Sequence, residues 1–152
     1  MYEIRSLQPS DLDLVCLHRE RMFRDAGWPE EVLNAMARPF RQWLAPRLKD
    51  GAYIGWVAET GGAVIAGLGM IFIEWPPHPS HPTQDRRGYI LNLFVEPQHR
   101  RAGLASRLMD MAMAEARRQG IVFIALHATE LGRPLYEKLG WKPTTEMAIS
   151  LT

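Results

Sequence analysis

Two stretches of this chain hold residue types whose spacing could do chemistry. The first is Arg100-Arg101-Ala102-Gly103-Leu104-Ala105, between an apolar run ending at Val95 and a long amphipathic run. The first amides of a helix lack internal partners and carry the positive end of its macrodipole. A glycine there lets a ligand come close to the main chain, and flanking arginines add charge. Such a turn is an anion cradle, best suited to a phosphate or diphosphate. The second stretch, Gly132 to Trp141, holds Tyr136, whose phenol can donate a proton. Taken alone, each has a simpler reading: an ordinary strand–loop–helix connection, and a core tyrosine with a polar tip.

The elements that must position these groups follow from periodicity. Gly88 to Val95 is an apolar run stopped by Glu96-Pro97, which predicts a buried strand. Ala102 to Gln119 predicts the long helix, with Arg117, Arg118 and Gly120 suited to its end. Ile121 to His127 predicts a second buried strand. A strand–helix–strand unit of this kind implies a right-handed crossover and a parallel pair. Gly132 to Leu139 is a short helix, with Pro134 near its start and Gly140 past its end.

The remaining elements build the rest of the sheet and its cover. Tyr2 to Leu7 is a short strand, and Asp11 to about Asp25 an amphipathic helix introduced by Pro9-Ser10-Asp11. A second helix starts at Pro29-Glu30-Glu31. Pro39 and Pro46 interrupt its apolar stripe, which predicts kinks or two shorter helices. Ala52 to Glu59 and Ala63 to about Trp75 form a hairpin around Thr60-Gly61-Gly62. Gly67 and Gly69 in its second strand mark a bulge or a close approach. Thr145 to Leu151 alternates Met147, Ile149 and Leu151, which predicts a final half-buried strand. His78 and His81, three apart in a proline-dense loop, read as solvated rather than as a metal site.

Composition sets bounds. A chain of 152 residues, 47% apolar and 23% charged, suits one domain over residues 1–152 with a sizeable core. A net charge of +1 argues against a nucleic-acid partner. No apolar run is long enough to span a bilayer, and Met1 to Arg5 lacks the build of a signal peptide, so no membrane partner is expected. The single Cys16 excludes an internal disulfide, fits a cytoplasmic setting and reads as core filler. No metal site is expected.

Tyr89 to Trp141 resembles the GNAT superfamily of acyl-CoA N-acyltransferases. Arg100-x-x-Gly103-x-Ala105 is similar to that family's Arg/Gln-x-x-Gly-x-Gly/Ala signature, and Leu135 to Trp141 to its late Leu-Tyr-Glu-Lys-Leu-Gly-Phe/Trp segment. The resemblance implies a mixed α/β fold: a largely antiparallel central sheet of six to seven strands, flanking helices, and a splayed parallel pair of central strands. It implies acetyl-CoA as co-substrate and an amine as acceptor. By the same resemblance, Arg100, Arg101, Ala102, Gly103, Leu104 and Ala105 hold the CoA diphosphate. Leu93, Phe94 and Val95 pair with the pantetheine arm, and a bulge there would turn an amide toward the thioester carbonyl. Tyr136 becomes the general acid for the departing thiolate. Thr129 stands where relatives often have Asn, and Gly132 where they have Ala; the Thr129 hydroxyl can still reach the cofactor arm.

Acyl transfer also needs a route for the amine's proton. Many relatives hold a carboxylate on the strand before the cradle, where this chain has Tyr89, Leu91 and Asn92. Glu74 and His127 are the candidate bases, and a water chain is the alternative. The missing carboxylate favours one rival, a catalytically weak acyl-CoA-binding or regulatory module. The two early helices and the proline-rich loop are expected to shape the acceptor site. Exposed tryptophans would serve a pocket or a homodimer interface.

Overall fold

The computed structural model describes residues 1–152. Five strands form one sheet in the order β1 (Glu3–Ser6), β2 (Tyr53–Thr60), β3 (Ala63–Glu74), β4 (Arg86–Val95) and β5 (Ile124–Leu126). The first four pair antiparallel, and β4 with β5 is parallel. The helices are α1 (Leu12–Asp25), α2 (Glu30–Asp50), α3 (Leu104–Arg118) and α4 (Arg133–Lys138).

The sheet separates two cores. On one face α3 supplies Leu104, Leu108, Met109, Ala112 and Ala116 to a cluster with Trp56, Ala58, Ala66, Leu68, Met70 and Ile90. On the other, α1 and α2 supply Val15, Cys16, Phe40, Leu44 and Leu48, packed around Tyr53. Cys16 is core, as its neighbours imply. The start of α1 is fixed by Asp11, which accepts the Gln8 amide at 2.8 Å and two bonds from Arg5 at 2.8 and 2.9 Å. The Arg5 guanidinium holds that carboxyl below its usual range.

One alternative for the second helix and one strand expectation do not hold. The second helix is a single element through Pro39 and Pro46, not two shorter helices. Each proline removes one ladder bond, but Leu33, Phe40, Leu44 and Leu48 lie on one buried stripe spanning both prolines, and burying that stripe holds the helix together. The sheet has five strands rather than six or seven, because Thr145 to Leu151 pairs with nothing. Its alternation is real, but with no neighbouring edge Met147, Ile149 and Leu151 stay 93%, 85% and 90% exposed.

Of the loop histidines His78 is exposed as expected, but His81 differs. His81 is fully buried, not solvated: its Nδ1 meets the Gln84 carbonyl at 3.0 Å and its Nε2 faces Arg87 at 3.0 Å. The Arg87 guanidinium is stacked on Trp75 and Phe123. The pair anchors the loop to β4.

Candidate active site

The site begins where β4 leaves its neighbours. Gly67 lies opposite Phe94 and Gly69 opposite Leu91, so Asn92 and Leu93 together face Leu68 alone. That extra residue is a bulge, and Asn92 takes a left-handed φ of 58° to accommodate it. Asparagine tolerates this conformation better than most residues. On the other side, the parallel register Gly88–Ile124, Tyr89–Ala125, Ile90–Leu126 ends just before the bulge. Beyond it β4 and β5 no longer pair, and a cleft of about 1220 Å³ opens between them.

After β4, Pro97–His99 makes a short 3₁₀ turn and α3 starts at Leu104. Arg101 (φ 64°) and Gly103 (φ 76°) are both left-handed, which coils the main chain into a nest. The amides of Arg101, Ala102, Gly103, Leu104, Ala105 and Ser106 have no acceptor within the protein. The run starts one residue later than the motif implied. The Arg100 amide is bonded to the Pro97 carbonyl at 3.3 Å, and its side chain reaches the Val95 carbonyl at 2.9 Å and Asp25 at 3.2 Å. Arg100 therefore ties the turn to the end of β4 and to α1. A Cβ built on Gly103 would meet nothing within 4 Å, so the cradle is open at its centre.

Of the residues expected to hold a cofactor, Leu93, Phe94, Val95, Arg100, Arg101, Gly103, Leu104, Ala105, Thr129 and Tyr136 all line this cleft; Ala102 does not. The Thr129 Oγ1 accepts the Gly132 amide at 3.1 Å, leaving its own proton for another partner. A Cβ on Gly132 would lie 3.2 Å from the Tyr136 ring and 3.3 Å from Thr129 Oγ1. The absence of a side chain there keeps both groups where they are. Tyr136 packs edge-on against Trp141, and burial pushes its phenol above the usual value, so it stays protonated near neutral pH.

The two candidate bases fall in different places. His127 lines the cleft, with its Nδ1 hydrogen-bonded to the Tyr89 hydroxyl. Glu74 lies opposite Arg86, at the far end of β4 from Val95, and is outside the cleft. The proline-rich loop contributes nothing to the lining either; α1 and the turn after it do, through Arg19, Met22, Phe23, Asp25, Ala26 and Trp28. The motif could not reveal those residues. One signal was present: Arg19 stands three and four residues after Cys16 and Val15, on the helix side that packs inward. No group of three His, Cys, Asp or Glu side chains converges to hold a metal, and no helix is long and apolar enough to cross a membrane.

Residues 15–141 match the model of the Acetyltransferase (GNAT) family. This chain belongs to that family. A GCN5-related N-acetyltransferase from Ralstonia eutropha is 58% identical, with a TM-score of 0.98 over 99% of each chain. An acetyltransferase of Clostridium acetobutylicum, solved with acetyl-CoA, is 30% identical, with a TM-score of 0.90 over 99% of this chain and 96% of its own. Human N-acetyltransferase 8 is 29% identical over 77% of this chain and 51% of its own length. The chain thus spans about half the length of the curated relatives it matches.

Proposed function

We propose that residues 1–152 form a single N-acetyltransferase domain that moves an acetyl group from acetyl-CoA to a primary amine in a ternary complex. The observation that carries this reading is the run of six unpaired amides from Arg101 to Ser106 at the mouth of a cleft that also holds Tyr136. Six convergent donors at a helix start match a diphosphate, with Arg101 adding charge. The unpaired edge of β4 at Leu93 to Val95 would take an extended pantetheine arm as a sheet takes another strand. The bulge at Asn92 turns main-chain polar groups out of the ladder toward the thioester carbonyl.

Acetyl-CoA supplies an activated acyl group; the protein's own work is orientation and proton traffic. As the amine nitrogen bonds to the carbonyl carbon and the C–S bond breaks, the sulfur gains the electron pair and Tyr136 gives it a proton. The amine's proton leaves through the Tyr89–His127 pair. The Tyr89 oxygen accepts it, directly or through water, while passing its own proton to His127 Nδ1. This pair takes the place of the carboxylate common on that strand in relatives.

The test measures thiol release and acetyl-CoA affinity together. Tyr136→Phe should keep acetyl-CoA affinity within about threefold and lower kcat by about 10²-fold or more, the usual size of one acid–base contribution. Tyr89→Phe should lower kcat and change the pH–rate profile on its acid side. Wild-type protein that binds no CoA thioester would overturn the whole reading. Unchanged turnover in Tyr136→Phe would remove only the acid.

A further inference from the structure

Arg19 is an arginine of the cleft with no carboxylate. Seven of the chain's fifteen arginines pair with an acid; of the three that line this cleft Arg100 does, whereas Arg19 and Arg101 do not. Within the cleft the one acidic lining residue, Asp25, is engaged by Arg100. Arg19 instead donates Nη1–H to Asn92 Oδ1 at 2.8 Å, and its guanidinium lies over Phe40 at 4.4 Å and Phe23 at 4.9 Å. Its Nε is buried with no partner, whereas Nη2, also without a partner, is not buried. Burial lowers its pKa, as expected for a cation taken from water without a counter-ion.

The guanidinium is also held stiffly. Asn92 passes its amide N–H to the Tyr53 hydroxyl at 2.8 Å, and Tyr53 is fully buried. A chain from Tyr53 through Asn92 to Arg19 therefore fixes the cation beside the bulge. Two phenyl faces keep water from one side of it. An arginine desolvated and aimed in this way, with donors left over, is half of a recognition pair for a planar anion. The cleft also has an apolar lining to which Met22, Phe23, Trp28 and Leu131 contribute.

We propose that Arg19 selects the acceptor: an amine that also carries a carboxylate and an apolar side chain, bound with its carboxylate on Nη2 and its amine toward the thioester. This deepens the acetyl-transfer reading and rests on it. In ionic terms the acceptor brings the negative charge that the cleft lacks, and its apolar part covers the aromatic wall.

Matched amines test this: phenylalanine against phenethylamine, leucine against 3-methylbutylamine, methionine against 3-(methylthio)propylamine, each by kcat/KM. The carboxylated member of at least one pair should be favoured at least tenfold. Arg19→Gln should abolish that preference by raising the acceptor KM, Arg19→Lys should keep part of it, and the acetyl-CoA KM should not move in either. Equal use of both members, or a preference that survives Arg19→Gln, would overturn the proposal. Calorimetry on the CoA complex with N-acetylphenylalanine and N-acetylphenethylamine needs no turnover, so it judges Arg19 even if the transfer reading fails. There, tighter binding of the carboxylate in wild type alone supports the role, and equal binding or none rejects it.

Discussion

Gly103 gives the sharpest perturbation of the cradle. It caps α3 at φ 76°, and an added Cβ would touch no other group. Any side chain there costs only left-handed strain, roughly 1–2 kcal/mol. In Gly103→Ala that strain should lower Tm by about 2–8 °C. In Gly103→Glu a carboxylate beside the helix start recovers about 0.3–1 kcal/mol from the macrodipole, so both variants should fold. Binding separates them. A carboxylate about 6 Å from a diphosphate, at an effective dielectric of about 60, costs about 0.9 kcal/mol per charge pair. Two phosphate charges make about 2 kcal/mol, or roughly twentyfold in Kd. Calorimetric titration with CoA should find Gly103→Ala within about threefold of wild type and Gly103→Glu about twentyfold weaker, the gap narrowing as salt is raised. Equal affinities for the two variants would refute the diphosphate assignment.

Two further outcomes follow from buried groups. Burial pushes His18 down to about 4 from 6.5, so the unfolded chain binds the extra proton between those values. Stability should be flat above pH 6.5 and fall by about 3 kcal/mol as pH drops through 4, beyond any carboxylate contribution. In urea midpoints measured across pH 4–7, His18→Leu should lose that slope; an unchanged slope would acquit His18. A Cβ on Gly69 would overlap the Tyr53 hydroxyl and ring. Gly69→Ala should therefore cost about 1–3 kcal/mol and about 2–12 °C in Tm, and should raise the acceptor KM by releasing Asn92 and Arg19. A variant with wild-type Tm would contradict that packing.

Much of this was legible in the residues. The free amides at a helix start, the parallel pair and the place of Tyr136 beside them in one cleft were readable because each rests on local chemistry: glycine at a helix start, apolar runs around a helix, a motif around a phenol. The run of free amides shifted by one because the Arg100 amide folds back on Pro97, a contact no spacing rule encodes. Glu74 looked suitable as a base at a strand end, but register decides which end, and register is a property of pairs of strands. Arg19 escaped notice because its burial and its bond to Asn92 depend on residues from α2 and β4, far away in the chain. The alternation at Met147, Ile149 and Leu151 predicted a strand because periodicity describes a preference, while pairing requires a neighbour.

The division of the interior by the sheet has a consequence for how such a chain can diverge. Cys16, Phe40 and Leu44 share no packing cluster with Leu108, Met109 or Ala112. Changes on the α1–α2 side, where we place amine recognition, should add nearly independently to changes on the α3 side. On that reading, a lineage can try new substrates by rebuilding one half of its interior, while the half proposed to grip the donor is inherited untouched.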